Sequence, residues 1–215
     1  MELATIEVET GPQPQAAVIW LHGLGANGSD FEPIVPELRL DAEPAVRFVF
    51  PHAPFIPVTC NGGYVMRAWF DIHSLSDISR EVDEEGLLAS RDAVRRLIAR
   101  ESGRGIPSRR IFLAGFSQGG AVAYLAALTH PEPLAGVIAL STYIPSPALI
   151  SGETTEANRR IPISAAHGTH DGVVPAALGL RSRDLLDTLG SRPEWRTYAM
   201  AHFVCDEELA DLGAW

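Results

Sequence analysis

The stretch "IFLAGFSQGGAVAYLAAL", residues 111–128, joins a run typical of a buried strand to a run typical of a helix. Ser117 lies at the junction, with Gly115 and Gly119 two positions to either side. A sharp strand-to-helix turn strains its central residue, and small neighbours let the two elements approach each other. The helix N-terminus also favours negative charge beside the hydroxyl. We therefore interpret Ser117 as a candidate nucleophile in a G-x-S-x-G motif.

Ser117 also has a purely structural interpretation, because serine is a favoured N-cap residue of helices. The motif is short, so by itself it does not separate a nucleophile from a cap. A serine hydroxyl needs a base before it becomes a useful nucleophile. The choice therefore depends on whether the rest of the chain supplies a histidine and an acid.

Strand-like and helix-like segments alternate along the chain. Strands are predicted at residues 4–8, 16–21, 46–51, 111–115, 135–141, 161–168 and 194–200, and helices near residues 87–98, 119–130, 178–189 and 206–215. Residues 51–77 form an irregular, aromatic-rich segment, and residues 146–160 are expected to be a surface loop. The alternation predicts an α/β fold, with a mostly parallel central sheet and helices on both faces. Ligands of such sheets bind beyond the carboxyl ends of the strands.

The composition is that of an ordinary globular protein, and we expect residues 1–215 to form a single domain. The formal net charge of −10 argues against nucleic acid or an anionic membrane as a partner. The sequence shows neither a secretion signal nor an apolar run of membrane-spanning length, so we expect no stable membrane insertion and a cytoplasmic location. Cys60 and Cys205 are expected to remain thiols in that reducing compartment, and a single disulfide between them is the alternative.

The candidate base is His202, one of four histidines that follow Ser117 in the sequence. It comes just after the last predicted strand, at the carboxyl end from which a base would project into the site. His130 ends the helix that Ser117 begins, and we interpret it as a partner of the helix dipole. His167 lies inside an apolar strand and is expected to be packed and hydrogen-bonded. His170 lies in the following turn, near the site.

The candidate acid is Asp171, in the loop "HGTHDGVVP" at another carboxyl strand end. Its position between serine and histidine agrees with the chain order expected for a triad on an α/β sheet. The structural alternative is an Asx turn before Gly172. The other downstream acids are interpreted as charges on the surface or at the start of helices: Asp184, Asp187, Asp206 and Glu207.

Two backbone N–H groups are candidates for stabilising an oxyanion. One belongs to Gln118, which follows the nucleophile, and the other to Leu24 in the loop "LHGLGANG" after an early strand. The alternative for this loop is a simple glycine-rich turn or a weak phosphate loop. Its glycines do not fit G-x-G-x-x-G and no Gly-Lys-Ser/Thr follows, so nucleotide binding is not expected. The cysteines and histidines also lack the spacing of a zinc site.

Five segments in this order resemble the small bacterial carboxylesterases related to acyl-protein thioesterases and lysophospholipases: "LHGLGANGSDF", "NGGYVMRAWFDI", "GFSQGGAVA", "HGTHDGVVP" and "HFVCDEEL". The resemblance extends from about Val18 to the C-terminus. It implies an α/β-hydrolase fold without a large lid domain. It also implies a catalytic triad and two oxyanion donors at the matching positions: Ser117, His202, Asp171, Leu24 and Gln118.

The resemblance further implies that Met66, Trp69 and Phe70 border an acyl groove, although composition alone would make them core residues. The chain departs from the family around the histidine, where Ala201 and Phe203 replace a glycine and a small or polar residue. Phe203 is expected either to narrow the acyl site or to point into the core. The family usually continues beyond "LGAW", so we expect a shortened last helix or a further tail.

The implied activity is hydrolysis of carboxylic esters with small to medium acyl chains, through an acyl-enzyme and without a metal or organic cofactor. The alternative is an acyl-protein thioesterase or lysophospholipase acting on long acyl chains. A further alternative, which is not an enzyme, is a binding protein with the same fold and no catalytic activity. The expected partner is a small-molecule ester. The oligomeric state is left open, and a homodimer through an apolar surface near the site is compatible with the sequence.

Overall fold

A computed structural model describes residues 3–41, 44–75 and 80–215, with the backbone alone for Arg80. The end of the irregular segment near Asp77 lies outside these ranges. The strands are β1 (Thr5–Glu9), β2 (Ala16–Leu21), β3 (Val46–Pro51), β4 (Phe55–Val58), β5 (Tyr64–Arg67), β6 (Ile72–Leu75), β7 (Arg80–Val82), β8 (Ile111–Phe116), β9 (Gly136–Leu140), β10 (Ile163–Gly168) and β11 (Glu194–Tyr198). The α-helices are α1 (Glu84–Gly103), α2 (Gln118–Leu128), α3 (Pro147–Glu153), α4 (Ala176–Thr188) and α5 (Asp206–Ala214).

The central sheet has the strand order β1-β3-β2-β8-β9-β10-β11. Strand β1 pairs with β3 in the antiparallel sense, and every other neighbouring pair is parallel. The predicted mostly parallel sheet is therefore confirmed. The chain leaves β2 for β3 on one side, while β8 lies on the other side of β2. This reversal of direction opens a crevice at the carboxyl ends of β2 and β8.

Two hydrophobic cores cover the two faces of the sheet, as β2 illustrates. Ala17, Ile19 and Leu21 pack into the core that contains the buried side chains of α1 and α2. Val18 and Trp20 pack into the opposite core, with Leu209 and Leu212 of α5. Because successive side chains of a strand point to opposite faces, this division confirms helices on both faces. Within the described ranges, no helix combines the length and apolar character needed to cross a membrane.

Two segments differ from the sequence expectation. The segment predicted to be irregular contains the antiparallel hairpin β4–β5 and the strand β6, which pairs in the antiparallel sense with β7 just beyond the segment. Each pair forms a small sheet of its own. The expected surface loop at residues 146–160 contains α3, which starts with Pro147 and buries Ile150. Proline favours the first helical position. A helix of seven residues is too short for its apolar periodicity to be recognised in the sequence.

The junction of β8 and α2 depends on two glycines. A Cβ atom on Gly115 would lie 2.4 Å from the backbone of Gly119. A Cβ atom on Gly119 would lie 2.3 Å from the carbonyl oxygen of Leu21, at the end of β2. The expected close approach of strand and helix is confirmed, and it extends to the neighbouring strand.

We predict that Gly119→Ala destabilises the protein by about 2–3 kcal/mol, because a backbone carbonyl cannot move away from the added methyl group at low cost. Equilibrium unfolding in urea measures this change. The matched control is Gly103→Ala in α1, where a Cβ atom would meet nothing within 4 Å. That control should leave stability unchanged or raise it slightly, since alanine favours helix over glycine. Equal stability of the two variants would contradict the steric role of Gly119.

Helix α5 buries an acidic side chain. Glu208 lies in its first turn and is 0% exposed. Burial raises the pKa of this carboxyl group from its ordinary value of 4.5 to about 8, against a smaller opposing effect of the Cys205 backbone. The folded protein therefore holds a proton on Glu208 that the unfolded chain releases above pH 4.5.

We predict that Glu208→Gln gains stability relative to the unsubstituted protein as the pH rises from about 5 to 8. In the unsubstituted protein, the protonated Glu208 contributes to the free energy of unfolding. Because its pKa is raised on folding, this contribution is fully present below the pKa of the unfolded chain and is lost as the pH rises toward the pKa of the folded protein. The difference should grow by at most about 1.4 kcal/mol per pH unit. Urea unfolding of both proteins at several pH values measures it. A difference that is constant with pH would show that Glu208 does not carry this proton.

Candidate active site

Ser117 occupies a strained turn between β8 and α2. Its backbone angles are φ 54° and ψ −121°, and positive φ is costly for a residue with a Cβ atom. The turn is held by two buried contacts. The Ser117 N–H donates to the Leu140 carbonyl at 2.9 Å, and the Thr142 hydroxyl donates to the Ser117 carbonyl at 2.6 Å. The expected strain at Ser117 is confirmed.

The Ser117 hydroxyl lies against an imidazole and makes no N-cap hydrogen bond to α2. Its Oγ atom is 3.0 Å from Nε2 of His202, and Nδ1 of His202 is 2.7 Å from Oδ2 of Asp171. With its proton on Nδ1, His202 donates to Asp171 and accepts from Ser117. These three residues, here called the candidate triad, come from the carboxyl ends of β8, β10 and β11.

Asp171 uses its two oxygen atoms for different contacts. Oδ1 accepts the backbone N–H groups of Val173 at 2.9 Å and Val174 at 2.8 Å, which is the local turn expected of an aspartate before glycine. Oδ2 binds His202. Burial acts to raise the pKa of Asp171, but the hydrogen bonds from His202 and from the two N–H groups outweigh it and lower the pKa. Asp171 is therefore a carboxylate at neutral pH.

His167 lies beside Asp171 and is completely buried. Its Nε2 atom is 2.8 Å from the Val174 carbonyl oxygen and 3.6 Å from Oδ2 of Asp171. Because a carbonyl oxygen only accepts, Nε2 carries the proton of the ring. Burial lowers the pKa of His167, so the ring is neutral. The prediction of a packed, hydrogen-bonded His167 is confirmed.

The other two histidines after Ser117 are outside the candidate triad. His170 is exposed, and its N–H donates to the Met200 carbonyl. The interpretation of His130 as a partner of the helix dipole stays a prediction. Burial lowers the pKa of His130, and Arg95 lowers it further, which keeps the ring neutral. Arg95 itself supplies the cation at this helix end, through hydrogen bonds to the carbonyl and hydroxyl of Thr129.

The expected oxyanion donors lie on either side of Ser117. Gln118 is the first residue of α2, and Leu24 follows β2 in the loop whose Gly23 packs against Phe116 and Ser117. Over residues 3–41, 44–75 and 80–215, neither the Leu24 nor the Gln118 N–H donates to a backbone carbonyl. Both groups thus have a donor to spare, and both residues line the pocket that contains Ser117.

The candidate triad opens into a pocket of about 560 Å³. The exposed side chains Leu75, Val173 and Phe203 lie at its rim, with 53%, 57% and 52% of their surface accessible. Further apolar lining residues of the described chain are Leu24, Phe31, Ile34, Ile72, Phe116 and Val174. A site of this size and apolar character suits the hydrocarbon part of a substrate.

Phe203 lines this pocket, whereas the three residues expected to border an acyl groove do not. Trp69 and Phe70 are 2% and 0% exposed and belong to the core that contains α1 and α2. Met66 is less buried than these two residues, and its sulfur lies 3.5 Å from Nδ2 of Asn61. The expectation that Trp69 and Phe70 border an acyl groove is therefore corrected, because neither side chain reaches the pocket.

Sequence reasoning did not single out two residues that contact the candidate triad or its loop. The Phe116 ring lies 4.7 Å from the His202 ring, centroid to centroid, and packs against Gly23. His22 is completely buried at the start of the loop that carries Leu24. The sequence could have indicated His22 through its position directly after β2, at the carboxyl end of a strand. The cysteines behave as expected, since Cys60 and Cys205 form no disulfide.

The parallel sheet, the strained serine turn and the hydrogen-bonded histidine and aspartate define the class of α/β-hydrolases with a serine nucleophile. The chain matches the phospholipase/carboxylesterase family over residues 2–214 and belongs to that family. No large lid domain interrupts the described chain. Among the described residues, no group of three His, Cys, Asp or Glu side chains is arranged to hold a metal ion.

The chain is similar to acyl-protein thioesterase 1 of Mycosarcoma maydis, with 40% identity over 230 residues that cover 100% of this chain and 95% of that protein. It is similar to a probable carboxylesterase of Oryza sativa subsp. japonica, with 36% identity over 95% of this chain and 80% of the relative. The crystal structure of Arabidopsis thaliana SOBER1 superposes with a TM-score of 0.88 at 33% identity, covering 93% of this chain and 96% of that one.

These relatives refine the resemblance drawn from the sequence. They are fungal and plant proteins, so the bacterial branch of the family that the motifs suggested finds no support in them. The family and the α/β-hydrolase fold are confirmed. The relative from Mycosarcoma maydis, which matches over the whole chain, is named as a thioesterase.

We predict that Asp171→Asn lowers kcat by about 10³- to 10⁴-fold, because an amide in place of the carboxylate favours the wrong tautomer of His202 and no longer stabilises its cation. Steady-state hydrolysis of a p-nitrophenyl ester measures the change. Asp184→Asn, on the exposed surface of α4, is the matched control and should retain full activity. A variant at residue 171 with undiminished kcat would remove Asp171 from the mechanism.

Proposed function

We propose that this protein hydrolyses acyl thioesters and esters through an acyl-enzyme on Ser117, with long-chain acyl-protein thioesters as the main substrate class. One observation carries the proposal: the Ser117 hydroxyl, 3.0 Å from His202 Nε2, opens into an apolar pocket of about 560 Å³. The similarity to acyl-protein thioesterase 1 supports the long-chain alternative over the small and medium esters favoured by the sequence.

In the acylation step, His202 removes the proton from Ser117 as Oγ attacks the carbonyl carbon. A bond forms between Oγ and the acyl carbon, and the carbonyl oxygen becomes an oxyanion. When the tetrahedral intermediate collapses, the bond from the acyl carbon to sulfur or oxygen breaks. The proton on His202 then passes to the leaving thiol or alcohol.

Deacylation repeats these steps with water. His202 takes a proton from a water molecule as its oxygen attacks the acyl carbon, and Ser117 leaves with the proton from His202. The products are the fatty acid and the regenerated hydroxyl. Asp171 is ionised throughout, so it stabilises the imidazolium in both halves of the reaction. Side chains of this protein, backbone N–H groups and water suffice for every step.

The backbone N–H groups of Leu24 and Gln118 are proposed to bind the oxyanion. Each such donor contributes on the order of 3 kcal/mol to lowering the barrier in a water-excluded site. The position of Gln118 at the start of α2 adds the favourable potential of a helix N-terminus. The two donors approach the site from different elements, which defines where the carbonyl oxygen of the substrate must lie.

The volume and lining of the pocket support a long acyl chain. The rim residues Leu75, Val173 and Phe203 are large, apolar and about half exposed. Covering them with hydrocarbon removes apolar surface from water, at about 25 cal/mol per Å². Phe203 replaces the small or polar residue expected after the histidine, and we propose that it adds to this apolar surface instead of closing the site.

We predict that kcat/KM rises from acetyl to palmitoyl p-nitrophenyl esters and that an S-palmitoyl peptide is cleaved. Each added methylene group gains up to about 0.8 kcal/mol when it is buried. The Ser117→Ala variant should remain folded by circular dichroism and lose at least about 10³-fold of this activity. Ser102→Ala, on the exposed end of α1, is the matched control and should be fully active.

The outcomes separate the candidate functions. Cleavage limited to acetyl and butyryl esters would favour the carboxylesterase for small to medium acyl chains that the sequence predicts. Preference for a lysophospholipid over the S-acyl peptide would favour a lysophospholipase. Undiminished hydrolysis by Ser117→Ala, or failure of a fluorophosphonate probe to label Ser117, would reject the serine mechanism.

A further inference from the structure

We propose that Trp69 is a positioning residue that holds the two oxyanion donors, Leu24 and Gln118, at the separation that catalysis requires. The inference rests on the proposed function, because it assigns Trp69 a role in that reaction. Trp69 is 2% exposed and does not line the pocket. Its role therefore follows from the hydrogen bonds made by its side chain and backbone.

The indole of Trp69 anchors the loop that carries Leu24. Its Nε1–H donates to the carbonyl oxygen of His22 at 2.8 Å. Two residues earlier in the chain, the Arg67 carbonyl accepts the Gly25 N–H, also at 2.8 Å. The segment around Trp69 thus binds the loop on both sides of Leu24, which restrains the direction of the Leu24 N–H.

The side chain of His22 restrains the loop at the point where the Trp69 indole binds it. Its Nδ1 is 2.7 Å from the Gly23 carbonyl oxygen, and its Nε2 accepts the Ala53 N–H at 3.0 Å. Burial lowers the pKa of His22 to about 4, so the ring is neutral near pH 7 and donates from Nδ1 only. The His22 ring also packs against the Trp69 indole, with centroids 5.1 Å apart.

The backbone around Trp69 anchors the second donor. The Trp69 N–H donates to Oε1 of Gln118 at 2.8 Å, and Nε2 of Gln118 donates to the Phe70 carbonyl at 2.7 Å. The side-chain amide of Gln118 therefore pairs with two consecutive backbone groups. Its own backbone N–H, the proposed oxyanion donor, is restrained by the same residue that restrains the Leu24 loop.

The segment is fixed in turn to helix α1, because the Ser90 hydroxyl donates to the Trp69 carbonyl. Every polar group of Trp69 is thus hydrogen-bonded inside the core. Two donors on different elements, the loop after β2 and the start of α2, share one buried anchor. Preorganised donors stabilise an oxyanion only when they are held at the correct geometry before the reaction.

The test replaces the indole N–H and leaves an aromatic ring in the core. We expect Trp69→Phe to lower kcat about 10- to 100-fold, because complete loss of one oxyanion donor costs about 10²- to 10³-fold. The inhibition constant of an octyl trifluoromethyl ketone, whose adduct with Ser117 carries an oxyanion, should rise by the same factor. KM should change by less than about threefold, and the pH profile of kcat/KM should keep its shape, since His202 and Asp171 are untouched.

The matched control is Trp20→Phe. Trp20 is 1% exposed, and its indole nitrogen has no hydrogen-bond partner within the described ranges. The two substitutions remove similar volume from buried sites, but only Trp69→Phe removes a hydrogen bond. A second variant, Gln118→Met, removes both side-chain contacts to residues 69–70 and keeps the backbone N–H. It should reproduce the loss of kcat and of inhibitor affinity if Trp69→Phe fails to fold.

The positioning role is overturned if Trp69→Phe, or Gln118→Met in its place, keeps kcat and the ketone inhibition constant within twofold of the unsubstituted protein. It is also overturned if the loss falls on KM alone or if Trp20→Phe shows the same loss. In these cases the unsubstituted protein remains active and ketone-sensitive, so the proposed function stands. An unsubstituted protein that neither turns over substrate nor binds the ketone overturns both proposals.

Discussion

The close approach of β8 and α2 across Ser117 is the constraint on which the rest of the site depends. Because Gly115 and Gly119 have no side chains, the turn can pack tightly and lie against the end of β2. Ser117 then adopts a strained backbone conformation that Leu140 and Thr142 hold through buried hydrogen bonds. Because the turn is this tight, the hydroxyl projects from the crevice where β2 and β8 meet, within reach of the neighbouring strand ends.

The charge states of the buried groups suit a site that develops one positive charge. Asp171 is held as a carboxylate by three hydrogen bonds. His167 and His22 are neutral because burial lowers their pKa values. The His202 imidazole is therefore paired with a carboxylate and is not opposed by a neighbouring cationic histidine. In the proposed reaction, this distribution would favour formation of the His202 cation as the oxyanion forms.

Local patterns predicted the central sheet and the candidate triad well. Buried strands such as β2 are nearly continuous apolar runs, and the segment at residues 111–128 shows its strand, turn and helix directly. His202 and Asp171 were found because the carboxyl ends of parallel strands meet at one edge. The short hairpins and α3 were missed. Each of these elements has too few residues for a recognisable apolar period.

The amino-acid sequence by itself determined the chain order of the central-sheet strands and of the long helices, the strained serine junction and the identity of the three residues that form the candidate triad. Tertiary structure alone decided the role of the aromatic segment after β5. The family resemblance implied that Trp69 and Phe70 border an acyl groove, yet they lie in the core, where Trp69 binds the loop after β2 and the backbone of both residues binds the side chain of Gln118. The physical reason is that hydrogen bonds between residues more than 40 positions apart leave no periodic trace in a sequence.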